Sequence, residues 1–207
     1  NITVAGSATL SGTLGVTSGN VVAPGGIVLL DTGGITSGAL TTSSSGFVYI
    51  AAHDMLPRIS FDQAGNPLFD ALLASAPVRL IGDVTINGAV NTGRLIAAAT
   101  GNYTGQAITA PISTLINVGG NAALSGNVAS TDVAITSANI ALAQGITIDA
   151  ANIALTADSG ATAAVIGGTS APAGTYSLSN AEFNSLRASR IRVAINSGGM
   201  TVNSLAL

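Results

Sequence analysis

The side chains of this sequence that could do chemistry gather in one stretch: His53 beside Asp54, with Arg58 and Asp62 close behind. A metal centre needs three or four convergent ligands, and one His with scattered carboxylates does not supply them. A polar loop stitched to a larger scaffold accounts for the stretch better. Acid–base cleavage of a glycan needs two carboxylates a few ångströms apart. The pairs to consider, on a scaffold that returns about every 20 residues, are Asp132 with Asp149 and Asp62 with Asp83. Neither has a patch of aromatics for stacking sugar rings. The Gly pairs, among them Gly33-Gly34 after Asp31, lack the Gly-Gly-x-Gly-x-Asp nonapeptide of Ca²⁺-binding repeats, and no phosphate or dinucleotide loop is present. Asn1-Ile-Thr3 and Asn102-Tyr-Thr104 match the N-glycosylation pattern, but in a chain this rich in Asn, Thr and Ser such tripeptides arise by chance. The reading is therefore a protein that is not an enzyme, with no catalytic, cofactor-binding or metal-ligating residue and no cofactor.

What would position any such residue is a repeat. Val133-Ala-Ile135, Ile140-Ala-Leu142, Ile146-Thr-Ile148 and Ile153-Ala-Leu155 each place an apolar side chain on either side of a small one. That is strand periodicity. The phrases follow each other too closely for hairpins of ordinary strands, so the chain must turn a corner after each one. Val133 returns as Ile153 and Ile135 as Leu155, both 20 residues on, so three short faces close one turn. Ile2 and Val4 against Val21 and Val22 give a similar return. A chain that repeats in this way is a solenoid candidate.

Composition agrees. Apolar residues make up 47% of the 207 and charged ones 7%, enough apolar surface to offset the ordering entropy of a folded chain. No apolar run approaches the ~20 residues of a spanning helix. All six basic residues are Arg and the net charge is −3, so there is no electrostatic footprint for nucleic acid; Arg187, Arg190 and Arg192 form the one basic cluster. Cys is absent, which excludes disulfides and thiolate metal sites. The chain opens on Asn1, so either a leader has been removed or it is an excerpt from a longer protein, and the strand-like, stackable ends favour the excerpt.

Two excursions interrupt the pattern. At about 44–83, Asn66-Pro67 followed by Leu68, Phe69, Leu72 and Leu73 predicts a short helix, with Asn capping, Pro at the first helical position and one apolar stripe. At about 169–189, Ser179 and Glu182 predict a capping box, and Leu178 with Phe183 a hydrophobic staple, on a helix ending near Leu186 or Arg187. Ile191, Val193 and Ile195 then alternate inward, with Arg190 and Arg192 outward. Pro111 and Gly119-Gly120 are expected at corners, where stacked Asn side chains can form ladders.

The Gly/Thr/Ala/Asn-rich β phrases, and the stretch Tyr176-Ser-Leu-Ser-Asn-Ala-Glu182-Phe183-Asn-Ser-Leu186-Arg187 before Ile191-Arg-Val and Met200-Thr-Val, resemble the shafts of filamentous-haemagglutinin-type large repeat adhesins. That resemblance implies a right-handed parallel β-helix exported to the cell surface or beyond. The Asn-Pro-Asn motif of the family's secretion region is matched only by Asn66-Pro67-Leu68, so the export domain is not expected here. The expectation is thus an all-β chain forming one body over 1–207: a right-handed parallel β-helix of roughly 20-residue coils, about eight of them and about 40 Å long. It would be a protease-resistant shaft of an extracellular bacterial adhesin or filament, serving adhesion or biofilm matrix. Its partners would be neighbouring copies or repeats of the same protein, head to tail, with surface polysaccharide as a further partner, no nucleic acid and no membrane span. An alternative is a β-sandwich subunit that polymerises by donating the strand at Asn1–Ala5. A third reading is a carbohydrate-binding or carbohydrate-cleaving β-helix.

Overall fold

The computed structural model describes residues 1–31, 33–52, 79–158, 161–168, 174–195 and 198–203. Among them the protein is all-β apart from one short helix, Asn180–Asn184, and its strands pair in parallel within curled sheets. A β-sandwich is built from antiparallel sheets. Every strand pairing among the described residues is parallel, so the alternative sandwich architecture is not the one adopted.

Three rows of strands follow one another around each circuit. The first stacks Ile2, Val21, Leu40, Val90, Ile108, Val128, Ile148 and Leu186. The second stacks Ile27, Val48, Leu95, Thr114, Val133, Ile153 and Ile191 over Ala8. Val133 lies beside Ile153 and Ile135 beside Leu155, the pairing that the sequence spacing requires. The third stacks Val16, Ile35, Val84, Tyr103, Ala122 and Ile140. Alternation aims Val, Ile, Leu and Ala inward, where most are completely buried in one continuous core. Each large aliphatic side chain so buried contributes about 1.5–3 kcal/mol. At the N-terminal circuit Val22 pairs with Thr3 rather than Val4, and being outward it is 37% exposed.

Corners are made in two ways. Ile108–Val118, Val128–Ser137 and Ile148–Ala157 belong to both the first and the second row and bend between them. The register slips between Ala110 and Ser113, the site of Pro111, which has no N–H to offer a ladder. There the Ser130 hydroxyl donates to the Ala110 carbonyl (2.7 Å) and the Thr131 hydroxyl to that of Pro111 (2.6 Å). The corner before the third row is a glycine column. Gly101 N–H bonds Gly82 O (3.1 Å) and Gly120 N–H bonds Gly101 O (2.8 Å), so close that a Cβ on Gly101 would sit 2.7 Å from Gly82 O.

The interruptions are narrower than the sequence pattern suggests. Phe47–Ala51, inside the expected 44–83 excursion, is a regular strand paired on both sides, and Leu80 bridges Ala99. The helix expected after Asn66-Pro67 lies outside the described residues. Within 169–189, Thr175–Leu178 is a strand: it pairs with Ala163–Ile166, which in turn pairs with Gly199–Val202. Asn180–Asn184 is the second expected helix, with its capping box, and it stops before Leu186 because Leu186–Ile195 is already a strand alongside Ile148–Ala157.

Candidate functional site

His53, Asp54, Arg58 and Asp62 lie outside the described residues. Asp132 and Asp149 are not brought together. Asp132 stands beside Asn152 in the second row and accepts its side-chain N–H (2.8 Å). Asp149 stands beside Ala129 in the first row and accepts the Thr147 hydroxyl (2.7 Å). Asp83 accepts the backbone N–H of Asn102 (2.6 Å). Among the described residues no group of three His, Cys, Asp or Glu side chains is placed to hold a metal ion.

The polar side chains at corners do work along the stack. Asn1 accepts from Asn20 N–H (3.1 Å), and Asn20 from Ala39 N–H (2.9 Å). At another corner Asp83 accepts from Asn102, Asn102 from Asn121 (2.9 Å), and Asn139 from Ser177 (2.8 Å). Each short polar side chain, amide or carboxylate, reaches a neighbouring circuit and accepts a backbone N–H there. Both sequon asparagines, Asn1 and Asn102, are members of these ladders. Asp31 is fully buried, and its carboxylate accepts Gly15 N–H (3.0 Å) and Gly33 N–H (2.5 Å), joining two successive turns.

The outer side of the second row is the most differentiated surface. Its outward positions run Ser113, Asp132, Asn152, Arg190 in one line and Leu115, Ala134, Ala154, Arg192 in the next, and together they line a shallow groove. Arg187 stands beside Asp149 on the neighbouring row. Arg190 and Arg192 are outward and exposed, as the alternation predicts, while Ile191, Val193 and Ile195 pack on the core. Earlier in the stack the same lines turn apolar. Val28, Leu30, Phe47, Tyr49, Ala51, Ile96 and Ala98 form a second buried cluster, separate from the interior core, with Leu115 packed at its margin. The Phe47 ring fills the space a Gly26 side chain would take. This outer cluster was missed in reading the sequence. Its signal was present: Gly26–Leu30 and Phe47–Ala51 are unbroken apolar runs rather than alternations, the pattern of strands covered on both sides.

Two further features are electrostatic. Arg79 makes a two-pronged ion pair with Asp158 (2.8 and 3.2 Å) and bonds the Asn117 side chain (2.6 and 3.1 Å), a fork geometry that gives the stronger kind of charge-assisted bond. Glu182 accepts the N–H (2.9 Å) and hydroxyl (2.9 Å) of Ser179, and its other oxygen accepts Leu142 N–H (3.2 Å). In the interior, burial pushes the Tyr103 phenol far above its usual range. Tyr176 moves the same way, by burial first and the Glu182 charge second. Both phenol oxygens are buried without a hydrogen-bond partner.

No family model, curated protein or solved structure matches the chain. No helix among the described residues is long and apolar enough to cross a membrane. Among the described residues, the polar side chains at the corners join one circuit to the next.

Proposed function

We propose that the chain is a right-handed parallel β-helix and serves as a stiff structural segment of an extracellular bacterial adhesin or filament, without catalysis. The observation that supports this most is the row from Ile2 to Leu186, in which every circuit hydrogen-bonds its neighbours along one axis. Tension along that axis is shared by parallel ladders, and the corner Asn, Ser and Thr residues add side-chain links between layers. The absence of Lys leaves trypsin only six basic residues to recognise, which suits an exposed fibre. In this reading the partners are further repeats of the same protein, stacked on the two ends, and surface polysaccharide along the side.

The test is the shape and surface behaviour of the purified chain. Small-angle scattering should give a rod about 35–40 Å long for eight layers, with little change in cross-section. The protein displayed on bacterial cells fused to an export leader should raise adhesion or matrix retention over a leader-only control. A globular scattering profile, or display with no effect on either, would count against it.

A further inference from the structure

On the reading of the chain as an extracellular scaffold, we propose that the groove outside the second row binds a glycan with one carboxylate among neutral sugars, held by Arg190 and Arg192. The groove is shallow, about 400 Å³, and the stacking register lays out its surface. Leu115, Ala134, Ala154 and Arg192 stand in one outward line, one per strand. The first three make an apolar floor of short side chains on which the flat side of a sugar ring can rest, and a guanidinium closes its end. Asp132, Asn152 and Arg190 form a polar wall beside it. A pyranose chain laid along the stack advances by about one strand spacing, ~4.8 Å, per sugar, so each unit meets one rung of floor and wall.

Charge decides the class of ligand. Arg190 and Arg192 are exposed and, among the described residues, enter no ion pair, whereas Arg79 is matched by Asp158. On a chain of net charge −3, two unmatched guanidiniums on successive outward positions of one strand, ~6.6 Å apart, reverse the local sign. Their planar forks suit a carboxylate. The other end of the groove has the opposite preference. Asp132 lies two strands from Arg190, ~9.6 Å, and repels an anion placed over it. Asn152 donates its side-chain N–H to Asp132 (2.8 Å), which leaves its own carbonyl oxygen and the second Asp132 oxygen to accept sugar hydroxyls. The acidic unit therefore belongs at the arginines and neutral units over Asn152 and Asp132, an order that a glycan charged on every unit cannot satisfy.

The test is titration calorimetry of the purified chain with gellan oligosaccharides, which carry one glucuronate per repeat among neutral sugars. Uncharged malto-oligosaccharides, polygalacturonate fragments and a single-stranded DNA oligomer are the comparison ligands. Gellan fragments should bind more tightly than all three. Arg190→Gln and Arg192→Gln should each weaken gellan binding about tenfold or more. Arg187→Gln, the same charge change on the neighbouring row, should leave it nearly unchanged. Asp132→Asn should let polygalacturonate bind. All four positions are exposed, so urea midpoints should match that of the native chain. No gellan binding, equal binding of DNA or of the neutral glycan, or an equal loss with Arg187→Gln would overturn the proposal. Scattering from the same samples reports shape separately: a rod that binds no gellan removes the site alone, and a globule removes the scaffold.

Discussion

The side-chain oxygen of Asn139 accepts the backbone N–H of Ser177 at 2.8 Å, across 38 residues of sequence. Asn139–Leu142 is the last strand of one sheet and Thr175–Leu178 the first of another, so the third row is continued by side chains where the main-chain ladder passes from sheet to sheet. Glu182 completes the joint. One carboxylate oxygen holds the helix start at Ser179, and the other takes Leu142 N–H. Glu182→Ala should cost about 1–3 kcal/mol, more than a helix cap alone, because it also leaves a strand N–H without a partner. Asn139→Ala should cost a similar amount. If urea denaturation shows Glu182→Ala to be no worse than Ser179→Ala, the bridging role is wrong.

Stacking in register makes inward and outward substitutions unequal. Leu155→Ala opens a cavity beneath Ile135 and beside Val193, and should cost about 2–5 kcal/mol. Ala154→Ser, one residue earlier on the outer side, should change stability by less than about 0.5 kcal/mol. Chemical denaturation of the two variants, measured together, checks the alternation directly.

The buried tyrosines predict an alkaline limit. The unfolded chain ionises a phenol near pH 10.0, whereas the folded chain keeps Tyr103 and Tyr176 protonated to higher pH. Their contribution is complete below that value and is lost as pH rises beyond it, by about 1.4 kcal/mol per pH unit for each. Tyr103→Phe should make the slope shallower. At neutral pH it should also raise stability by about 1 kcal/mol, because it removes a buried hydroxyl that has no partner. Denaturation midpoints of the two proteins across the alkaline range would show both effects, and a Tyr103→Phe variant that is less stable at neutral pH would refute the account.

The glycine column gives a prediction about backbone contact rather than conformation. Gly101→Ala must push its Cβ against Gly82 O, and should cost about 1–3 kcal/mol. Gly6→Ala, with nothing within 4 Å of the new carbon, should be neutral or slightly stabilising. Thermal unfolding of the pair separates crowding from the general effect of losing a glycine.

Local residues announced much of the scaffold. Val133, Ile135, Ile153 and Leu155 carried both the strand period and the return distance, and Ser179 with Glu182 announced the helix start, because capping is decided within four residues. The end of that helix was read too late, since its length is set by Leu186 pairing with Ile148, 38 residues back in the chain. The strand at Phe47–Ala51 was hidden in a stretch that looked irregular because its aromatics, Phe47 and Tyr49, face outward while Val48 and Ile50 face the interior.

By itself, then, the order of residues determined which side chains point in, how far apart the layers recur and where corners need Asn or Gly; all of these are short-range or periodic properties. Only the tertiary structure decided that Thr175–Leu178 stands next to Asn139–Leu142, that Arg79 closes on Asp158, and that one outer line near Ile96 is buried. Periodicity states on which side of a strand a residue lies. What covers that side depends on contacts between segments far apart in the chain, and those are fixed by packing alone.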